Sequence, residues 1–166
     1  MKAKAISILT IATSQGTFVA HYSEQGLAAL GFPGAKSSSQ ATSAPTPEIR
    51  AWHALTTKAV KAIVAGKTPD ELPPLDVSSG TEFQQRVWEE LLWIPCGETR
   101  SYGEVAKNIR KPKAVRAVGG ACGANPIPLL IPCHRVLAAN RKIGGFSGGL
   151  GWKQRLLEIE GVEVAG

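Results

Sequence analysis

The segment "IPCHRV", Ile131 to Val136, sets a thiol beside an imidazole, between a proline and an arginine. A thiol is a weak nucleophile until it loses its proton, and a nearby base or positive charge favours that loss. Cys133 and His134 could therefore support nucleophilic transfer or hydrolysis. Adjacency in sequence is not contact, because neighbouring side chains often diverge. Pro132 restricts the chain at this point, and Asn125-Pro126 with Pro128 makes the approach irregular. A buried, inert thiol is the commonest state of a free cysteine. The pair alone does not outweigh it.

A carboxylate could orient such a histidine. In "GWKQRLLEIEG", Leu156 and Glu160 stand four apart on one helix face, with Lys153 and Leu157 alongside. Glu160 then projects with apolar residues, which costs energy unless a partner meets it. A histidine is one such partner. The other reading is a frayed, exposed end before Gly161.

The remaining cysteines, Cys96 and Cys122, make an odd total without framework spacing, which argues against a disulfide scaffold. No C-x-x-C pair is present, and His21 and His53 have no cysteine near them, so no metal and no cofactor are expected.

Charge adds a second theme. The chain carries +6 overall, and Arg100 to Arg116 holds six basic residues against one acid, Glu104, a net of +5. Such clustering fits phosphate contacts or a solvated helix face. At 166 residues with 43% hydrophobic content, one domain or two small ones sharing a core are expected. No apolar run is long enough to span a bilayer. Two lysines precede an apolar patch in "MKAKAISILTIA", but Ser7 and Thr10 interrupt it, and its alternation reads as a strand. An intracellular protein is expected.

The elements that must position these groups follow in order. "TFVAHYS" and "GLAALGFP" read as further strands joined at Glu24 to Gly26. A Ser/Thr/Pro-rich loop leads to a helix over Glu48–Gly66, with Leu55, Ala59, Ala62 and Ile63 near one face. A proline-rich linker then places a domain boundary near Ser79. Thr81 and Gln84 form one capping box, and Ser101 and Glu104 a second. Phe83, Val87, Leu91 and Ile94 mark the buried stripe of the first of these helices. Tyr102, Val105, Ala106 and Ile109 mark that of the second. After a turn at Arg110-Lys111, Pro112 suits the first position of another helix, which must end before Asn125-Pro126. Two helices and a tight turn, dressed in Lys and Arg, suggest a helix-turn-helix.

The second of those helices is built from Ala114, Ala117, Gly119, Gly120 and Ala121, with Arg116 as its one long central side chain. A helix reading the major groove normally carries Asn, Gln, Arg or Ser. A smooth helix with one projecting arginine suits close approach to the minor groove, with a side chain wedged into the base stack. Tight packing against a neighbouring helix is the other reading, and periodicity cannot choose between them.

Together these residues are specific. From Gly80 to Gly161, about half the chain, the P-C-H-R-V motif occurs with F-Q-x-x-V-W, S-Y-G, R-A-V-G and N-P. This stretch resembles the O6-alkylguanine-DNA alkyltransferases. The first part fits loosely. The resemblance implies an α+β fold: a small α/β domain over residues 1–79 with a short antiparallel sheet (ribonuclease-H-like), then a mostly helical, winged-helix-like domain over 80–166. It implies that Cys133 accepts the alkyl group, that His134 is the base through a bound water, and that Glu160 orients His134. Tyr102 matches the family tyrosine that pushes on the target phosphate or contacts the base. Arg116 matches the arginine that fills the gap left by the flipped nucleotide. Asn125 matches the residue tying the helix-turn-helix to the active-site turn. Ser147 matches one that bonds the lesion oxygen, and Val136 one whose main chain lies against the guanine.

The implied partner is double-stranded DNA carrying O6-alkylguanine, bound through the minor groove by a monomer, in the cytoplasm or nucleoid, or the nucleus of a eukaryote. Some relatives bind zinc near the N-terminus, but this chain has no cysteine before Cys96. A related class has tryptophan in place of the nucleophile and only binds lesions, and Cys133 argues against it. A Cys-His-Glu hydrolase is a third reading. It leaves the DNA-binding features unexplained.

Overall fold

The structure is a computed structural model that describes residues 6–35, 43–144 and 150–165. It is a mixed α/β protein whose small antiparallel sheet comes first and whose helices follow. Strands β1 (Ser7–Thr13), β2 (Gly16–Ser23) and β3 (Gly26–Gly31) form a meander in the order β1-β2-β3. Alternation along β2 sends Phe18, Ala20 and Tyr22 into the core, as a half-buried sheet requires.

Helix α1 (Pro47–Val64) packs on that sheet. The Thr46 hydroxyl accepts the Ile49 N–H, and Pro47 takes the first helical position, where its missing N–H costs nothing. The buried face is Ile49, Thr56, Ala59, Val60, Ile63 and Val64, whereas Leu55 and Ala62 are only half-buried. The sequence reading therefore placed the stripe partly off its true face. Thr56 misled it, because its hydroxyl is satisfied locally by the Trp52 carbonyl at 2.8 Å and the residue can be buried. His53 is tied up by the Tyr22 hydroxyl at 2.7 Å and the Thr10 carbonyl at 3.1 Å.

Gly66 ends α1 in the left-handed region, at φ +76°. A Cβ there would stand 2.8 Å from the Ile159 carbonyl oxygen. Close packing of α1's end against the last helix thus depends on glycine. The proline-rich linker is pinned rather than loose. Leu27 N–H donates to the Pro74 carbonyl, Asp76 N–H donates to that of Leu27, and the Ser23 hydroxyl bonds the Asp76 carboxylate.

Both capping boxes form, with the reciprocal bonds of each in place. They open α2 (Glu82–Leu91) and α3 (Tyr102–Asn108). Val87, Leu91, Ile94, Val105 and Ile109 are buried. Trp88, absent from the expected stripe, is buried too, and its indole donates to the Ala121 carbonyl at 2.8 Å.

Helix α4 (Val115–Gly123) starts three residues later than Pro112 suggested. Arg110 adopts φ +63°, and Lys111 N–H closes back on the Ala106 carbonyl. Pro112 and Lys113 are used up in a turn closed by Ala114 N–H on the Lys111 carbonyl. Two-residue strands β4 (Arg100–Ser101) and β5 (Val136–Leu137) pair in parallel, a pairing too short for periodicity to reveal. Helix α5 (Leu150–Ile159) follows. Trp152 on α5 packs edge-on to Phe18 and against Phe32, so one buried cluster runs from the first sheet through α2 to α5. Among the described residues no helix is long and apolar enough to cross a membrane.

Candidate active site

A short 3-10 turn, Cys133–Arg135, carries the thiol and imidazole. Its approach, Asn125 to Pro132, is irregular because prolines interrupt it, so side chains must supply the missing bonds. Asn125 does this with both ends of its amide. Oδ1 accepts Ile127 N–H at 2.9 Å, and Nδ2 donates to the Ile131 carbonyl at 2.9 Å. Leu129 lies between, at φ +75°, a conformation that L-residues other than glycine adopt at a cost of about 1–2 kcal/mol. Burial of its side chain offsets that cost. From the other side, Leu30 N–H on β3 donates to the Pro126 carbonyl at 2.9 Å.

Cys133 and His134 are both buried. His134 Nε2 meets Glu160 Oε2 at 3.0 Å. Glu160 is not a frayed end, since its side chain is 1% exposed. Arg135 grips the same carboxylate, Nε on Oε1 at 2.9 Å and Nη2 on Oε2 at 2.8 Å, and its Nη1 donates to the Ile94 carbonyl at 2.7 Å. Burial alone would raise the Glu160 pKa, but these bonds and charges outweigh it and hold the carboxyl at about 2. A permanent carboxylate requires His134 Nε2 to carry the proton it donates. Nδ1 then holds the lone pair, and it has no hydrogen-bond partner among the described residues. Burial pulls the His134 pKa down, so the resting imidazole is neutral.

Burial raises the Cys133 pKa to about 11, although the Asn125 amide and the Lys153 ammonium work in the opposite direction. The resting group is a thiol. Lys153 is wholly buried, and its Nζ donates to the Val136 carbonyl at 2.7 Å. Burial lowers its pKa to about 8. Tyr102, half-buried at the start of α3, lies with its ring centroid 5.8 Å from that ammonium. Gly144, at φ +68°, passes so close that a Cβ would come within 2.9 Å of the Tyr102 hydroxyl.

Arg116 stands apart from this cluster, exposed on α4. The buried side of α4 is Val118, Ala121 and Cys122. An added Cβ at Gly119, Gly120 or Gly123 would meet nothing within 4 Å. Interior packing therefore does not explain these glycines. Val136 sits in β5 with its carbonyl on Lys153. Ser147 lies outside the described residues.

Sequence reasoning missed two participants. Arg135 shows in the sequence only as the arginine after His134, whereas its guanidinium is engaged by Glu160 and Ile94. Lys153 carried a signal, a lysine within the apolar stripe of α5, but nothing local revealed what it faces. Among the described residues no group of three or more His, Cys, Asp or Glu could hold a metal ion.

Two helices and a tight turn dressed in Lys and Arg thus lead, through the loop that Asn125 pins, into the turn that holds the buried Cys133. Residues 82–162 match the family model described as "6-O-methylguanine DNA methyltransferase, DNA binding domain". A methylated-DNA–protein-cysteine methyltransferase of Methanosarcina mazei is 58% identical over 81 residues, 49% of this chain and 51% of that protein. One from Mycobacterium tuberculosis is 52% identical over 101 residues, 61% of each chain. The chain thus aligns with about half to three fifths of the length of these curated relatives. The crystal structure of Mycobacterium tuberculosis OGT in complex with DNA superposes with a TM-score of 0.77 at 40% identity, over 92% of this chain and 91% of that one. The chain belongs to the 6-O-methylguanine-DNA methyltransferase family.

Proposed function

We propose that the protein repairs DNA by moving the alkyl group of O6-alkylguanine irreversibly onto Cys133. The observation that carries this reading is the buried Cys133 beside the His134–Glu160 pair, directly behind a basic helix-turn-helix. A guanine inside a duplex cannot reach a buried thiol, so it is flipped out, at a cost of a few kcal/mol. Glycines 119, 120 and 123 let α4 approach the minor groove, Arg116 fills the vacated stack, and Tyr102 contacts the rotated phosphate or the base. The Val136 main chain lies against the guanine, and Ser147 bonds its oxygen.

In the transfer, the Cys133 proton passes to His134 Nδ1 through a water, and Glu160 steadies the imidazolium. The thiolate attacks the alkyl carbon. An S–C bond forms, the C–O6 bond breaks, its electron pair leaves with O6, and the guanine takes up one proton. The product is a thioether with no easy leaving group, so each molecule acts once. An intact Cys133 disfavours a protein of this fold that only binds lesions.

We also read residues 1–79 as a ribonuclease-H-like domain and 80–166 as a winged-helix-like domain. The β1–β3 meander with α1, and α3-turn-α4 followed by β5, support that division. The protein acts as a monomer in the cytoplasm or nucleoid. Incubation with DNA containing O6-methylguanine, followed by mass spectrometry of the intact chain, tests the main reading. One methyl per molecule is expected, without turnover. An unchanged mass with every guanine still methylated refutes it.

A further inference from the structure

The chain that leaves the cysteine turn is held along its length by the segment that follows α5. After β5 it makes a tight turn, Ala139–Lys142, with both central residues left-handed, Asn140 at φ +62° and Arg141 at φ +62°. Positive φ at both positions is the mark of a type I′ turn, whose second central position favours glycine. Asparagine tolerates that conformation, whereas arginine is strained in it. Such strain persists only where surrounding contacts hold it. Here the Arg141 Nη2 donates to the Glu163 carbonyl at 2.8 Å, and the Arg141 carbonyl accepts the Ala165 N–H at 3.0 Å. Lys142 and Ala165 bridge in parallel beside them. The tail is itself anchored, with Val162 N–H on the Leu157 carbonyl at 2.8 Å. Leu137, Leu157 and Val162 form a small buried cluster on which Ile143 and Val164 pack. Just beyond Lys142 stands Gly144, where a Cβ would come within 2.9 Å of the Tyr102 hydroxyl.

We propose that Arg141 is a positioning residue for substrate binding: it clasps the segment Ala138–Gly144 to the tail Val162–Ala165 and so sets how Gly144 stands against the Tyr102 hydroxyl. This rests on the alkyl-transfer reading, in which Tyr102 meets the extruded nucleotide. A glycine at position 141 would ease the turn but leave the Glu163 carbonyl without this donor. Comfort of the turn and placement of the segment therefore oppose each other at one residue, which makes them separable. The bonds of the clasp go to the tail, whereas His134 bonds Glu160. Its loss should alter how the site receives the base and leave the reactivity of the thiol alone.

The test is single-turnover reaction of the full chain with free O6-benzylguanine, read as a limiting rate and a half-saturating concentration. This probe carries no phosphate, so a charge lost from a DNA contact cannot imitate the effect. Arg141→Gly suits the turn and removes the side chain. Arg141→Asn also tolerates the turn and is too short to span to Glu163. In both, the half-saturating concentration should rise by about 3- to 10-fold, the net effect of one hydrogen bond. The limiting rate and the iodoacetamide reactivity of Cys133 should stay close to those of the parent, and the Ala165 amide should exchange faster with solvent. A parent-like half-saturating concentration in either folded variant, or unchanged exchange at Ala165, overturns the proposal. So does a limiting rate that falls together with iodoacetamide reactivity, because the cysteine turn itself would then have moved. A parent protein inert toward both O6-methylguanine DNA and free O6-benzylguanine instead removes the alkyl-transfer reading.

Discussion

Arg135 and Glu160 are joined by two parallel bonds, at 2.9 and 2.8 Å, and the same carboxylate receives His134 at 3.0 Å. Residues adjacent in the P-C-H-R motif therefore converge on one partner, 26 and 25 residues away. The arginine fixes the carboxylate in place, and the carboxylate fixes the tautomer of the histidine.

This arrangement predicts an acid-sensitive fold. The Glu160 pKa is depressed to about 2, so its stabilising contribution is full above the ordinary carboxylate range of about 4.3 and is lost as pH falls toward 2. Urea unfolding midpoints should decline through that window, and Glu160→Gln should flatten the decline. Glu160→Ala leaves a buried guanidinium unpaired and should cost about 3–5 kcal/mol. An equally steep decline in the glutamine variant would contradict the assignment.

His134 and Glu160 should also act as a unit in transfer. General-base assistance is worth about 10²–10⁴ in rate. His134→Ala and Glu160→Gln should each slow alkyl transfer, with the double variant little worse than the poorer single. Thermal melts must accompany the kinetics, because Glu160 is structural as well. Effects that simply multiply in folded proteins would show that the relay does not operate.

Cys133 should be the sole acceptor. Cys122 is buried with its pKa raised to about 12, and Cys96 donates weakly to the Gly66 carbonyl at 3.6 Å, also with a raised pKa. After reaction with methylated DNA, peptide mapping should find one methyl in place of a hydrogen on Cys133. Label on either other cysteine would be incompatible with the proposed chemistry.

On α4, fold stability and DNA binding should move in opposite directions. Gly120 is exposed and a Cβ there meets nothing, so Gly120→Ala should stabilise the fold by about 0.5–1 kcal/mol. Gly120→Leu keeps helix propensity but should weaken duplex binding in a gel-shift titration. If duplex affinity stays at the parent level, this face of α4 does not touch DNA.

Arg116→Ala should slow repair of duplex DNA by about 10- to 100-fold, since base extrusion costs a few kcal/mol. Dealkylation of free O6-benzylguanine should hardly change, because a free base needs no flipping. Equal losses on both substrates would mean that the arginine does not act in flipping.

What was legible in the sequence was local. Thr81 with Gln84 and Ser101 with Glu104 announced two helix starts, because a capping box is written within four residues. The start of α4 was not legible. Pro112 suits a helix start and a turn equally, and Arg110 settled the matter by entering a left-handed conformation that arginine rarely adopts. The His134–Glu160 pairing could be suspected from Glu160's place on an apolar face. Arg135's share of that carboxylate and Lys153's approach to Val136 depend on contacts between distant segments, which periodicity does not encode.

Gly66 has a genetic consequence. It lies in the first half of the chain, yet any side chain there would press on the Ile159 carbonyl, one residue before Glu160. A selection for variants that can no longer survive alkylating agents should return substitutions at Gly66 alongside those at Cys133. The two kinds should separate on cooling: a Gly66 allele should behave as temperature-sensitive, whereas a Cys133 allele should be null at every temperature.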